Sequence, residues 1–321
     1  MNRHKQHGMT LIELMVALAI GAFLMIGAIT VFMQSRTTFR VNESLARMQE
    51  NARFALDLIE TDVRMAHYWG LNTITSTVAN RAGPAAGAFA GIVHSCGNNL
   101  AVNLDQAVQG SNNSYPWICA GFPNVEVTAD TLFVRHASED EVAPVAGGLH
   151  IQSVRGTADS QIFVGAAAPA LGPTSRTFRL ITNGYYVSRC SSLGCGVPSL
   201  RQKFWLATGG GVQDQELIVG VEDMQVQFGI DTDLPGQADR GSVDRYVNPN
   251  DPLVEPFNPL SSDEILSVRV WLRVRAERIE NGFQDNVVYQ YAGQNFGPFN
   301  DAFRRMVVSK TIYLRNARPN S

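Results

Sequence analysis

Proline is missing from the first 83 residues of this 321-residue chain, and the earliest is Pro84. Nothing in that stretch forbids a long uninterrupted helix. Charge is scarce: Asp, Glu, Lys and Arg make up 17% of the chain, with a formal balance of −3. Without a basic excess there is no global field for nucleic acid, and no nucleic-acid partner is expected. The six histidines, His4, His7, His67, His94, His136 and His150, are scattered. They form no i,i+4 zinc-ligand pair and no His-Glu-x-x-His. The chain also lacks a Gly-x-Ser-x-Gly elbow and a phosphate-cradling Gly-x-x-x-x-Gly-Lys. No catalytic site is expected.

What is present begins at the N-terminus. Met1 to Gly8 is polar and basic, with Arg3, His4, Lys5 and His7, and Met9 to Met33 is almost wholly apolar. Such a run is long enough to span a bilayer, which takes about 20 residues. The short basic leader is expected on the cytoplasmic side and the rest of the chain outside, although Arg36 and Arg40 nearly match its charge. A secretory signal peptide would have a shorter apolar core closed by a small-residue cleavage site. A plain signal anchor would not explain Glu13, the one ionisable residue in the run. A carboxylate near the start of a membrane helix is costly unless partnered, or it snorkels to the interface.

The run Gly8-Met9-Thr10-Leu11-Ile12-Glu13-Leu14-Met15-Val16-Ala17-Leu18 resembles the class III signal of type IV prepilins. The resemblance implies cleavage between Gly8 and Met9 by a prepilin peptidase and N-methylation of Met9. It also implies that Glu13, fifth in the mature chain, serves assembly. The usual first mature residue is phenylalanine, and Met9 departs from it.

Beyond Gln34 the pattern turns amphipathic. Val41, Leu45, Met48, Ala52, Leu56, Ile59, Val63 and Ala66 recur at three- and four-residue steps, one face of a helix. Glu43–Arg47 and Glu60–Arg64 are i,i+4 ion pairs on other faces. The natural end is His67-Tyr68-Trp69-Gly70, with Gly70 as the cap. A helix from Met9 to Ala66 would be roughly 87 Å long at 1.5 Å per residue. Its one-sided half needs a partner surface, most simply a sheet of the same chain; a dimeric coiled coil is the alternative.

The remainder reads as strands. Asn72 to Asn113, rich in Gly, Ala, Ser and Asn, reads as a long decorated loop. Strands are expected over Thr131–His136, Leu149–Val154, Gln161–Val164, Thr177–Ser188, Lys203–Leu206, Glu216–Val221, Met224–Asp231, Ser267–Ala276 and Met306–Leu314. In the strongest, Val268, Val270, Leu272, Val274 and Ala276 alternate with Arg269, Trp271, Arg273 and Arg275. Hairpin-like spacing without a βαβ rhythm favours an antiparallel sheet. The expected fold is α+β and pilin-like. It has a leader (1–8), a transmembrane half-helix (9–33), an amphipathic half-helix (34–68) and a β-rich head (69–321).

Segments of the head resemble the PilW family of minor pilins. They are Tyr185-Tyr186-Val187, Gly220-Val221-Glu222-Asp223-Met224-Gln225-Val226, Gly229-Ile230-Asp231-Thr232-Asp233, Ser267-Val268-Arg269-Val270-Trp271-Leu272 and Leu314-Arg315-Asn316. The resemblance implies a scarce subunit that helps start pilus assembly at the tip. Its partners would be minor and major pilins, a PilY-type tip adhesin, the prepilin peptidase and the inner-membrane assembly platform, with inner-membrane lipid before assembly. It implies a single-pass inner-membrane protein with a periplasmic head that later reaches the cell surface. A pseudopilin of a type II secretion system shares the N-terminal argument. A membrane-anchored periplasmic enzyme or binding protein is the third reading.

Three smaller expectations remain. Sequence proximity pairs Cys96 with Cys119 and Cys190 with Cys195 as disulfides; four cysteines allow three connectivities, and four buried thiols are the bland alternative. Asp231 and Asp233, spaced two apart before Gly236, resemble the start of a calcium loop, with Asp239 and Asp244 as further oxygen donors. Pro235 occupies the place of a third donor, and an acidic surface turn explains the segment equally. Apart from this calcium no cofactor is expected. The Arg269, Trp271, Arg273 and Arg275 face reads as a single-strand DNA groove, an outward sheet face or a subunit contact.

Overall fold

A computed structural model of the chain describes residues 9–79, 81, 96, 100–156, 159–206, 211–233, 236–237, 239–254 and 265–317. The leader, with Gly8, lies outside the described residues, as do Leu234 and Pro235. The chain divides into two compact units, Met1–Arg47 and Met48–Ser321.

Helix α1 (Leu11–Met65) contributes to both. In the first unit every side chain from Leu11 to Arg40 is exposed. Mean hydropathy reaches 2.5 in an 18-residue window, so the helix is long and apolar enough to cross a membrane. In the second unit Met48, Ala52, Leu56, Ile59, Val63 and Ala66 of the expected stripe are buried, joined by Ala55, whereas Val41 and Leu45 in the first unit are half-buried. The Glu43–Arg47 and Glu60–Arg64 pairs form at 2.8 and 3.2 Å.

The helix ends earlier than expected. The residue that closes it is His67 rather than Gly70: His67 is left-handed (φ 65°), and Tyr68 N–H donates to Met65 O at 3.0 Å. Histidine tolerates this region better than most residues. Complete burial of His67 and Trp69 then holds the turn. Gly70 (φ 87°) has another role: the Phe178 ring fills the space a Cβ would occupy.

The larger sheet holds β1 (Val108–Ser111), β2 (Thr131–Glu141), β3 (Leu149–Ser153), β4 (Gln161–Val164), β5 (Arg176–Ser191), β6 (Gly194–Trp205) and β7 (Val212–Val219). Its centre is β5, 16 residues long. One edge of β5 pairs with β2; along the other, β3 takes Arg176–Arg179 and β6 takes Asn183–Ser191. The smaller sheet runs β13 (Arg305–Tyr313), β10 (Ile265–Arg275), β8 (Val221–Ile230), β9 (Arg245–Val247). A two-stranded ribbon joins β11 (Tyr289–Tyr291) to β12 (Gln294–Phe296). All these ladders are antiparallel. The fold is α+β, a helix packed on an antiparallel head.

Val268, Val270, Leu272 and Val274 of β10 are fully buried, as their alternation requires. Four strands were not expected: β1, β9, β11 and β12. Strand β6 begins at Gly194 rather than Lys203. β1, β9 and the first part of β6 are short or glycine-containing segments ordered by pairing with β2, β8 and β5, whereas β11 and β12 pair only with each other across a tight turn.

Residues 48–65 of α1 touch both sheets. Lys310 of β13 reaches Asp57 at 2.9 Å and Glu60 at 2.5 Å. Asn51 donates its amide to Val219 O of β7 at 3.2 Å. Asn316 closes the helix end, its amide donating to Ala66 O at 3.2 Å and to Arg64 O and Met65 O at 3.5 Å. Such side-chain donors satisfy carbonyls that a helix terminus leaves open.

Candidate assembly site

The start of α1 is a reciprocal cap. Thr10 N–H and Oγ1 donate to Glu13 Oε2 at 2.9 and 3.0 Å, and Glu13 N–H donates to Thr10 Oγ1 at 3.3 Å. This is the Thr-x-x-Glu capping box, which satisfies donors that the first turn leaves open. An anion here also meets the positive end of the helix dipole. Both bonds from Thr10 fall on Oε2; among the described residues Oε1 accepts no hydrogen bond, which leaves one carboxylate oxygen open to a cation. Met9, the residue before Thr10, is 66% exposed. The role of Thr10 was not read from the sequence, though its three-residue spacing to Glu13 carried the signal.

Both disulfides are present: Cys96 joins Cys119 across 23 residues and Cys190 joins Cys195 across five. The Cys190–Cys195 bridge spans a β5–β6 cross-strand pair, and Asn124 donates its amide to Cys190 Sγ at 3.2 Å. Cys96 and Cys119 pack with Trp117, Phe133 and Tyr186 on the larger sheet. Gly184 is required beneath them, because a Cβ there would meet Phe133 and Trp117 at 2.7–2.8 Å.

Asp231, Asp233 and Asp244 each bring a carboxylate oxygen within 4.8 Å of the others. Desolvation and repulsion from Asp239, Asp244 and Asp231 push the Asp233 carboxyl up. Hard oxygens fit calcium. Several are already engaged by the chain: Asp231 accepts Asp233 N–H at 2.9 Å and Gly241 N–H at 2.5 Å, and Asp244 accepts Thr232 N–H at 2.6 Å.

The arginine face of β10 is covered by the chain itself. Arg269 stacks on Tyr246 at 3.6 Å. Arg273 lies over Phe296 and Phe299 and donates to Glu222 at 3.1 Å and Tyr291 Oη at 2.7 Å. Arg275 stacks on Phe303 at 4.1 Å. Among the described residues these contacts leave no open basic groove, contrary to the DNA-groove reading.

Two buried polar nodes had no sequence forecast. The Arg305 side chain, 1% exposed, meets Glu222, Asp285 and Asp301 at 2.7–2.8 Å. Burial opposes its charge, but Asp301, Glu222 and Asp285 outweigh burial and hold the guanidinium above its ordinary range. This node pins the covering loop to β8 and β13. The second lies under α1. Asp62 accepts from Asn183 Nδ2 at 2.5 Å and from Tyr185 Oη, and faces His136 Nε2 at 3.4 Å. A charge three residues after Ile59, inside the apolar stripe, was the available signal.

Residues 184–316 match the family model described as Type IV Pilus-assembly protein W. Residues 3–29 match the Prokaryotic N-terminal methylation motif. No curated protein and no solved structure matches the chain. The first match runs from the middle of β5 to Asn316 and contains the whole smaller sheet, the Arg305 node and the Cys190–Cys195 bridge.

Proposed function

Because the chain is a type IV prepilin-like protein with a PilW segment in its head, we propose that it is a minor pilin that helps to start pilus assembly and sits at the fibre tip. The observation that carries this reading is the Thr10–Glu13 box at the head of an exposed, apolar helix. Such a helix end is built to be buried among other helices, with one carboxylate oxygen kept for an incoming charge.

In this reading residues 1–8 are a cytoplasmic leader, 9–33 cross the inner membrane, 34–68 continue the helix and 69–321 form the periplasmic head. Prepilin peptidase cuts after Gly8 and methylates Met9. The amine released on Met9, here or on a neighbour, meets Glu13. In low dielectric an unpaired carboxylate is unfavourable and a nearby cation strongly attractive. Cutting and docking are thereby coupled. Other pilins, a PilY-type tip adhesin and the assembly platform are the partners. The role is structural rather than catalytic. A type II secretion pseudopilin is the alternative; the PilW match favours the pilus.

Mass spectrometry of the mature N-terminus, with counting of surface pili in a deletion strain, tests the proposal. The expected result is an N-methylated Met9 and a strain that loses pili while secretion stays intact. An unprocessed chain, or lost secretion with normal pili, refutes it.

A further inference from the structure

Helix α1 carries the arginines Arg36, Arg40, Arg47, Arg53 and Arg64. Three have a carboxylate at four-residue spacing: Arg47 meets Glu43 at 2.8 Å, Arg53 meets Asp57 at 3.8 Å and Arg64 meets Glu60 at 3.2 Å. Arg36 and Arg40 differ. Among the described residues neither has an acidic partner within 4 Å. Glu43 stands three residues beyond Arg40, near enough to pair on a helix, yet its carboxylate goes to Arg47. Both arginines are exposed, and Phe39 between them is 69% exposed.

Their position along the chain is equally specific. The 22 residues from Leu14 to Ser35 contain no ionisable side chain. As a helix they rise about 33 Å, close to the roughly 30 Å hydrocarbon thickness of a bilayer. Glu13 and Arg36 therefore bracket one hydrocarbon layer. Arg36, Phe39 and Arg40 fall at i, i+3 and i+4, on one face and within the first turn past its outer boundary. At that depth lipid phosphates are the abundant anions, an aromatic ring favours the interface, and arginine matches phosphate through its planar fork.

We infer that Arg36 and Arg40, with Phe39 between them, form a clamp for phospholipid phosphates at the outer surface of the membrane. The clamp rests on the membrane-anchored reading above and adds to it. It sets how deep the helix sits before assembly, and it opposes withdrawal of the helix into a fibre, where the Glu13–amine pair takes over. Opposite charges thus hold the two ends of the span at different stages.

The test uses the purified full-length chain in detergent, titrated with phosphatidylglycerol and read by native mass spectrometry. Three forms are compared: wild type, the double variant Arg36→Gln/Arg40→Gln, and Arg47→Gln. Surface arginines contribute about fivefold each to anionic-lipid binding. The double variant should bind roughly thirtyfold more weakly, while Arg47→Gln should bind as wild type does. In liposomes, a spin label on Ser35→Cys should sit deeper in the double variant. Equal lipid binding by wild type and double variant overturns the clamp. So does a double variant that binds lipid normally but fails to enter fibres, which would assign the arginines to an acidic surface of another subunit. A chain that does not integrate into liposomes at all refutes the membrane-anchored reading instead, so the two failures are distinguishable.

Discussion

Replacing Asp62 with alanine tests how the helix is fastened to the larger sheet. Asp62 is 15% exposed and accepts from Asn183 and Tyr185, which are 8% and 2% exposed. Burial and the Asp62 carboxylate hold the Tyr185 phenol well above its ordinary range, so it is a donor throughout neutral pH. Asp62→Ala leaves that hydroxyl and the Asn183 amide without their acceptor, at about 1–3 kcal/mol each. Better helix propensity of alanine returns about 0.5 kcal/mol. The net loss is about 2–5 kcal/mol, and in a unit of this size each kcal/mol lowers the melting temperature by about 2 °C. The full chain in detergent, followed by near-ultraviolet circular dichroism, should therefore melt about 4–10 °C lower. Tyr185→Phe alone should cost about 1 kcal/mol. The double variant should lose less than the sum, because the two groups share one interaction. A variant that melts within about 1 °C of wild type, or a strictly additive cycle, refutes the assignment of Asp62 as a latch.

Other outcomes follow from separate parts of the molecule. Gly8→Val should leave an uncut precursor, since any side chain crowds the scissile bond, whereas Glu13→Ala should be cut normally yet enter fibres poorly; equal incorporation of Glu13→Ala would refute the charge pairing. Removing the Cys96–Cys119 bridge should cost about 3 kcal/mol and the five-residue Cys190–Cys195 bridge about 2 kcal/mol, and free thiols in periplasmic protein on peptide mapping would contradict both bridges. If the Asp231–Asp233 segment binds calcium, the ion should raise the melting temperature of wild type but not of Asp231→Ala; no shift assigns the segment to an acidic turn. Bonding to Lys310 lowers Asp57 and Glu60 below their ordinary values of 3.8 and 4.5. Their contribution is complete above that range and is lost as pH falls through the lowered values, so stability should decline below about pH 4.5, and Lys310→Met should flatten that decline.

The parts legible in the sequence were those set by local period. Met48, Ala52, Leu56, Ile59 and Val63 follow the helix repeat, and Val268 to Val274 the strand repeat, so their burial could be read without knowing their neighbours. The first half of β6 has no such signal: Gly194-Cys195-Gly196 becomes strand because β5 lies beside it. Strand β1 was hidden in a polar stretch for the same reason, since Val108–Ser111 is ordered by β2. The covering of Arg273 and Arg275 by Phe299 and Phe303 depends on a loop folding back over β10, which no spacing reveals. At the helix start the opposite holds. Glu13 stood out from its place in the apolar run, whereas its bond to Thr10 was missed although a three-residue spacing carried it.

The fastening of α1 also dictates an order of events during synthesis. Asp57 waits 253 residues for Lys310, and the carbonyls of Arg64, Met65 and Ala66 wait 250–252 residues for Asn316. The apolar stripe from Met48 to Val63 is thus among the first parts of the head to be made and among the last to be covered. Contacts so distant in sequence form slowly, because a long loop must close before any of them is gained. Until β13 emerges, this stripe is a naked amphipathic surface held next to a membrane-soluble segment, and exposed stripes of that kind draw non-native partners. Loss of the twelve residues 310–321 would remove the end of β13, leave the other strands, and deprive the helix of its ties to Lys310 and Asn316. The helix is thereby fastened only once β13 and Asn316 have folded onto it.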